Sequence, residues 1–139
     1  MVSGSPARIT RLLQPLDVAR RQPHVEVWSP ASYLWHLVDV LRIGAERLLA
    51  LSLDPSAGIP CWDENALAET RRYERLSPRV ALVVYPEAVT RWVEVATSVE
   101  EDVSAEHPEF GTLTAVDIVR RNAHEVCHHE LDIARGMTD

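Results

Sequence analysis

The chain has 139 residues, 46% hydrophobic and 25% charged, with five Gly against nine Pro. That length suits a single domain over residues 1–139 that buries roughly 68% of its unfolded surface and needs no staples. The net charge of −7 argues against nucleic acid as a partner, and no apolar run approaches the roughly 18 residues of a membrane span.

All 14 basic residues are arginine, so neither a Schiff-base lysine nor a P-loop lysine exists. The opening residues MVSGSPARITRLLQPL lack the apolar stretch of a signal peptide, and a cytoplasmic location is expected. Cys61 and Cys127 do not make a disulfide framework and read as small semi-buried hydrophobes.

Taken in chain order, a first helix is expected over about residues 6–21, bent at Pro15. Ser29-Pro30 reads as an N-cap followed by proline at the first helical position, where its missing N–H costs nothing, and it opens a helix over about 30–53. A short helix follows Asp63. Ser77-Pro78 repeats the cap signal for a helix over about 78–101, which Pro86 should kink or interrupt. Thr114 and Asp117 form a capping box with Asp in place of Glu, and the last helix is expected over about 115–135 with Gly136 as its cap. Strand-like alternation is scarce. The expected fold is all-α, a four-helix bundle with short connections.

At about 100° per residue, Tyr33, Leu34, Leu37, Val40, Leu41, Gly44, Leu48 and Leu51 share the core face of the second helix, with His36 at its edge. On the last helix Val119, Ala123, Val126, Ile133 and Ala134 fall together. Cys127 and Leu131 lie towards one border, and His124 and His128 just past it. Trp35 falls off the core face, and an exposed tryptophan on a bundle helix marks an interface, so a homodimer is expected. The other large aromatics, Trp28, Trp62, Trp92, Tyr33 and Tyr85, suit either a substrate pocket or the core.

The six histidines carry the chemistry. His124 and His128 make an H-x-x-x-H pair, and residues four apart on a helix can grip one metal ion. His36 offers a third imidazole from another helix. Three neutral imidazoles suit Zn, Ni, Fe or Cu and leave positions open for water or substrate. The competing reading is a solvated stripe of Asp117, Arg121, His124, His128, Asp132 and Arg135. His-Glu-x-x-His is also the zincin signature. Only eleven residues follow His128, however, and Leu131 stands where the extended motif needs glycine, so a peptidase is not expected.

The segment Trp28-Ser29-Pro30-Ala31-Ser32-Tyr33-Leu34-Trp35-His36-Leu37-Val38-Asp39 resembles the W-S-x-x-x-x-x-x-H-L-x-D opening of the second helix in the DinB-like superfamily. The run from His124 through His128 to Ile133 is similar to its closing H-x-x-x-H-x-x-x-I segment, and Cys61-Trp62-Asp63-Glu64-Asn65 resembles a stretch of actinobacterial members. The resemblance runs from about Trp28 to Gly136. It implies a four-helix bundle whose metal ligands, carried over position by position, are His36, His124 and His128. His129, about 140° from His124 on the wheel, stays outside that set. Glu125, about 100° away, is not expected to be the base. Asp39 is expected to cap an imidazole N–H. Cys127 is either a fourth ligand or packing.

The family includes S-transferases and an isomerase that use thiols such as mycothiol or bacillithiol. The resemblance therefore implies a divalent transition metal (Zn, Ni or Fe), a low-molecular-weight thiol co-substrate and a small electrophilic substrate. Arg121 and Arg135 are candidates to grip a carboxylate. The alternatives are a non-catalytic metal- or ligand-binding dimer used in sensing or stress response, and a hydrolase using metal-bound water.

Overall fold

The computed structural model describes residues 1–139. Its helices are α1 (Ser5–Leu12), α2 (Leu16–Ala19), α3 (Pro30–Leu53), α4 (Glu64–Arg71), α5 (Pro78–Ser98) and α6 (Ala115–Thr138), and β1 (Ser104–His107) and β2 (Gly111–Thr114) precede α6. α3 lies centrally against α5 and α6, and α1 closes the four-helix bundle by packing on both of those. No helix is long and apolar enough to cross a membrane.

The capping chemistry explains where the long helices begin. Ser29 accepts the Ser32 N–H at 3.2 Å, Ser77 accepts that of Val80 at 3.4 Å, and Thr114 exchanges hydrogen bonds with Asp117 in a complete capping box. α4 starts where Asp63 accepts from the Ala66 N–H at 2.9 Å. The core runs along the bundle axis through fully buried Ile9, Leu34, Leu41, Leu48, Val126 and Ile133. Tyr85 joins it with its hydroxyl satisfied by Ser5 Oγ at 2.7 Å, and burial pushes the phenol far above its ordinary range.

Several expectations need correction. The first helix does not bend at Pro15 but ends at Leu12, and Pro15 caps the separate α2. α5 runs through Pro86 without a break. Proline removes the bond to the Leu82 carbonyl, yet Tyr85, Ala88 and Val89 are buried around it and pin both halves to the core. Gly136 lies inside α6, where a Cβ would stand 2.8 Å from the Pro30 ring, so close helix packing rather than capping occupies that position.

Trp35 is only 5% exposed. α4 and the turn after it fold over this face of α3, and the Arg71 guanidinium lies 5.5 Å from the indole centre. The feature behind the expected dimer is therefore internal packing. Cys61 and Cys127 are both exposed free thiols, not semi-buried ones.

Sequence periodicity also missed the antiparallel hairpin. Ala105 pairs with Leu113 and His107 with Gly111, whose positive φ of 69° closes a three-residue loop. Four-residue strands are too short to show alternation. The Ile59 N–H donates to the Glu106 carbonyl at 2.8 Å, tying the segment before α4 to the hairpin.

Gly44 marks the tightest approach of α3 to α6. A Cβ there would run into the Asn122 amide, whose oxygen accepts from Trp92 Nε1 at 2.9 Å and so cannot turn aside freely. Gly44→Ala is expected to destabilise the fold by about 1–3 kcal/mol, outweighing alanine's helix preference of about 1 kcal/mol, with urea denaturation as the check.

Candidate metal centre and its cavity

His36 sits in the first half of α3, and its side chain is completely buried. Trp28 and Trp62 flank the ring at 5.2 and 6.0 Å between centres, and His129 of α6 meets it edge-on at 4.8 Å. Both His36 ring nitrogens lack a hydrogen-bond partner. A buried imidazole without one is costly unless something else occupies its lone pair.

His36 Nε2 faces Glu125 Oε2 at 3.5 Å and Glu64 Oε2 at 3.9 Å, and His129 Nε2 lies 3.2 Å from the same Glu125 oxygen. The donor atoms of His36, Glu125 and His129 all lie within 4.8 Å of one another. Ligands about 2.0–2.1 Å from a tetrahedral ion stand roughly 3.3 Å apart, so the 3.2 and 3.5 Å separations suit a shared ion, and the first also suits a hydrogen bond between His129 and Glu125. The donor set, two imidazoles and one carboxylate, is one that Zn and non-haem Fe accept. The residues fit the group.

Asp132 supports the cluster from the adjoining turn, with Oδ2 at 2.9 Å from His129 Nδ1. A proton held at Nδ1 leaves Nε2 as the nitrogen facing Glu125, where it carries a proton for that carboxylate or, without one, offers its lone pair to an ion. The hydrogen bond to His129 first, and then the nearness of His36, hold the Glu125 carboxyl well below the usual carboxylate range. For His129, burial pulls the imidazole down, but Glu125 and Asp132 overcome it and the net shift is upward.

The other residues singled out from the sequence stand elsewhere. His124 and His128 stack on each other with ring centres 6.0 Å apart, and both are exposed. Neither belongs to the cluster around His36. His128, its side chain 55% exposed, approaches Asp132 instead. Asp39 serves no imidazole, because its buried carboxylate pairs with Arg71 and accepts from the Tyr73 hydroxyl at 2.5 Å. It faces the turn after α4, where that guanidinium is the nearby cation. Arg135 is exposed and stands 3.7 Å from Asp132.

Glu125 and His129 were within reach of sequence reasoning. They form an i,i+4 pair of the same geometry as His124 and His128. The fully buried Val126 and Ile133 fix the inward face of α6. Measured from Val126, His129 lies about 60° away, whereas His124 and His128 lie about 160° away on the opposite side.

A cavity of about 360 Å³ adjoins the cluster. Glu64 and Glu125 line its His36 end, and Arg47, Cys61, Trp62, His107, Phe110 and Arg121 line the remainder. The hairpin and the segment before α4 thus form a wall that the four helices alone would not provide. The Arg121 guanidinium lies 3.8 Å from the centre of the Phe110 ring.

The whole fold is shared with YfiT from Bacillus subtilis, described as a probable metal-dependent hydrolase with an unusual four-helix bundle topology. The TM-score is 0.78 at 17% identity, over 99% of this chain and 83% of that one. The sequence profile of the DinB superfamily matches residues 2–133. No curated protein sequence matches the chain significantly.

Proposed function

The chain belongs to the DinB superfamily, and from that premise we propose that it is a metal-dependent enzyme acting on a small electrophile with a low-molecular-weight thiol as co-substrate. The carrying observation is the fully buried His36, whose unpartnered Nε2 faces Glu125 beside an open cavity. His36, Glu125 and His129 would hold a divalent transition ion such as Zn, Ni or Fe. The ligand pair on α6 is thus one residue further along than the family resemblance placed it, with a carboxylate in place of one imidazole. His124 and His128 are left to the outer surface.

When bound, such an ion supplies Lewis acidity, drawing the proton from a thiol or water so that a nucleophile exists at neutral pH. The chain's own groups do the rest. Asp132 keeps His129 in the tautomer that presents Nε2. Trp28 and Trp62 exclude water from the His36 side. Glu125 and Glu64 supply the negative charge that balances a cation. The cavity walls hold the electrophile within reach.

Hydrolysis is the second reading, favoured by the description of YfiT. The two separate on thiol dependence. Protein loaded with Zn, Ni or Fe(II) should consume a chlorodinitrobenzene only when a thiol is added, whereas a hydrolase would cleave a nitrophenyl ester without one. Glu125→Gln and His129→Ala should each abolish tight metal uptake, and the paired change His124→Ala with His128→Ala should leave it intact. The reverse pattern would restore the ligand set read from the sequence, and a wild-type chain that takes up no ion would end the metal reading.

A further inference from the structure

The cavity holds two of its three carboxylates at one end and its two arginines at the other, where Glu109 is the remaining acid. Its acidic pole is Glu64 and Glu125, both within 4 Å of His36 Nε2. At the other end stands His107 on β1, 5% exposed, with the cations Arg47 and Arg121 near enough to act on it. His107 Nδ1 accepts two backbone N–H groups of the hairpin loop, from Glu109 at 3.1 Å and Phe110 at 3.3 Å. A nitrogen that accepts twice carries no proton, so the ring is neutral and its hydrogen sits on Nε2. Burial, then the charge of Arg47, also holds this imidazole below its ordinary range, against the opposing pull of Glu109.

The Nε2–H therefore points a donor into the cavity, and what it meets is the soft sulfur of Cys61 at 3.9 Å. Arg47 has its Nε buried without a partner, although one terminal nitrogen donates to the Pro60 carbonyl. Arg121 is not ion-paired to any carboxylate within 4 Å and sits over the Phe110 ring at 3.8 Å from its centre, and that ring itself stacks on His107 at 4.6 Å. Three groups at one end of a cavity thus offer hydrogen-bond donors that no carboxylate within 4 Å takes up, although Glu109 also lines the cavity and Arg47 spends one N–H on the Pro60 carbonyl. Unmet donors lining a concavity are what a bound anion satisfies.

We propose that His107, Arg121 and Arg47 form an anion subsite, and that the substrate is a small carboxylate whose flat or apolar portion lies against Phe110 and Trp62. The carboxylate docks at the hairpin end, which directs the remainder of the molecule towards His36 and Glu125. This rests on the reading of the cavity as the active cavity, but the anion subsite can be tested without any metal.

The probe is benzoate, compared with its neutral counterpart benzamide, on the full chain stripped of metal and again on the zinc-loaded chain. Binding is followed by tryptophan fluorescence and by the NMR resonances of the His107 ring. Benzoate should bind at least about tenfold more tightly than benzamide in both preparations and shift the His107 ring signals. His107→Gln should weaken benzoate by about tenfold, as should Arg121→Met, a change at an exposed position that does not threaten the fold. Equal binding of the two probes, or benzoate affinity unmoved by Arg121→Met, would overturn the proposal. So would binding seen only with zinc, since the ion itself would then be the anion's site. A chain that takes up no zinc but binds benzoate in this way would sink the metal reading and leave the subsite standing.

Discussion

His36→Leu should make the metal-free protein more stable, by about 1–3 kcal/mol, while abolishing metal uptake. The expectation rests on the buried imidazole, whose two nitrogens find no hydrogen-bond partner. Leucine is of similar size, and removing an unsatisfied buried polar group in favour of an apolar one of like shape is neutral or stabilising. With metal present the order should reverse, because an ion at 100 times its dissociation constant stabilises the wild type by about 2.7 kcal/mol and the variant not at all. Thermal unfolding of both proteins, with chelator and with zinc, reads the crossing directly. If His36→Leu is the less stable protein in chelator, the imidazole is satisfied in some other way and the site is not preorganised for an ion.

How far the sequence reveals this arrangement depends on the kind of signal. The starts of α3, α5 and α6 were legible because each begins with a side-chain cap that acts locally, Ser29, Ser77 and Thr114. The ends of helices and the faces they bury are set by tertiary contacts. Trp35 looked exposed on the wheel, yet α4, a helix of eight residues, folds over it. Gly136 resembled a stop signal, yet it serves the packing of α6 against Pro30. The hairpin was invisible because its strands are short and one of its inward residues is polar, His107.

The candidate centre shows the same division. His36 was legible, both as an imidazole on a mostly apolar helix and through the family resemblance. The α6 side chains that cluster with His36 stand one position on from the pair read from the sequence, because histidine was sought twice and a carboxylate, Glu125, shares the cluster. A ligand pair on a helix is specified by its angle to the buried stripe, and Val126 with Ile133 gives that angle more reliably than residue type does. Asp39 was misplaced for a related reason. Its distance in sequence from His36 said nothing of Arg71 and Tyr73, which arrive from beyond residue 70 to occupy it.

The response of the site to pH should differ in sign with and without metal. In the metal-free protein Glu125 is held below its ordinary value of 4.5, first by His129 and then by His36. That contribution to stability is present above the unfolded value and is lost as pH falls through the folded one. His129 is held above its ordinary 6.5 because Glu125 and Asp132 outweigh the cost of its burial. Its contribution is complete below the unfolded value and is lost as pH rises through the folded one. The metal-free protein should therefore draw most from this pair between about pH 4.5 and 6.5 and lose stability above it. Since the Glu125 side chain is 37% exposed, screening limits the loss to about 1 kcal/mol. A metal ion needs the neutral imidazole, so bound proton and bound ion exclude each other at His129 Nε2. Zinc affinity should rise with pH across the window in which the metal-free protein weakens, and the two curves of unfolding midpoint against pH should separate above about pH 7. His129→Gln should flatten the alkaline limb of the metal-free curve and remove the zinc response together. Parallel curves with and without zinc would mean that the ion binds away from His129, and the ligand set would have to be sought elsewhere on α6.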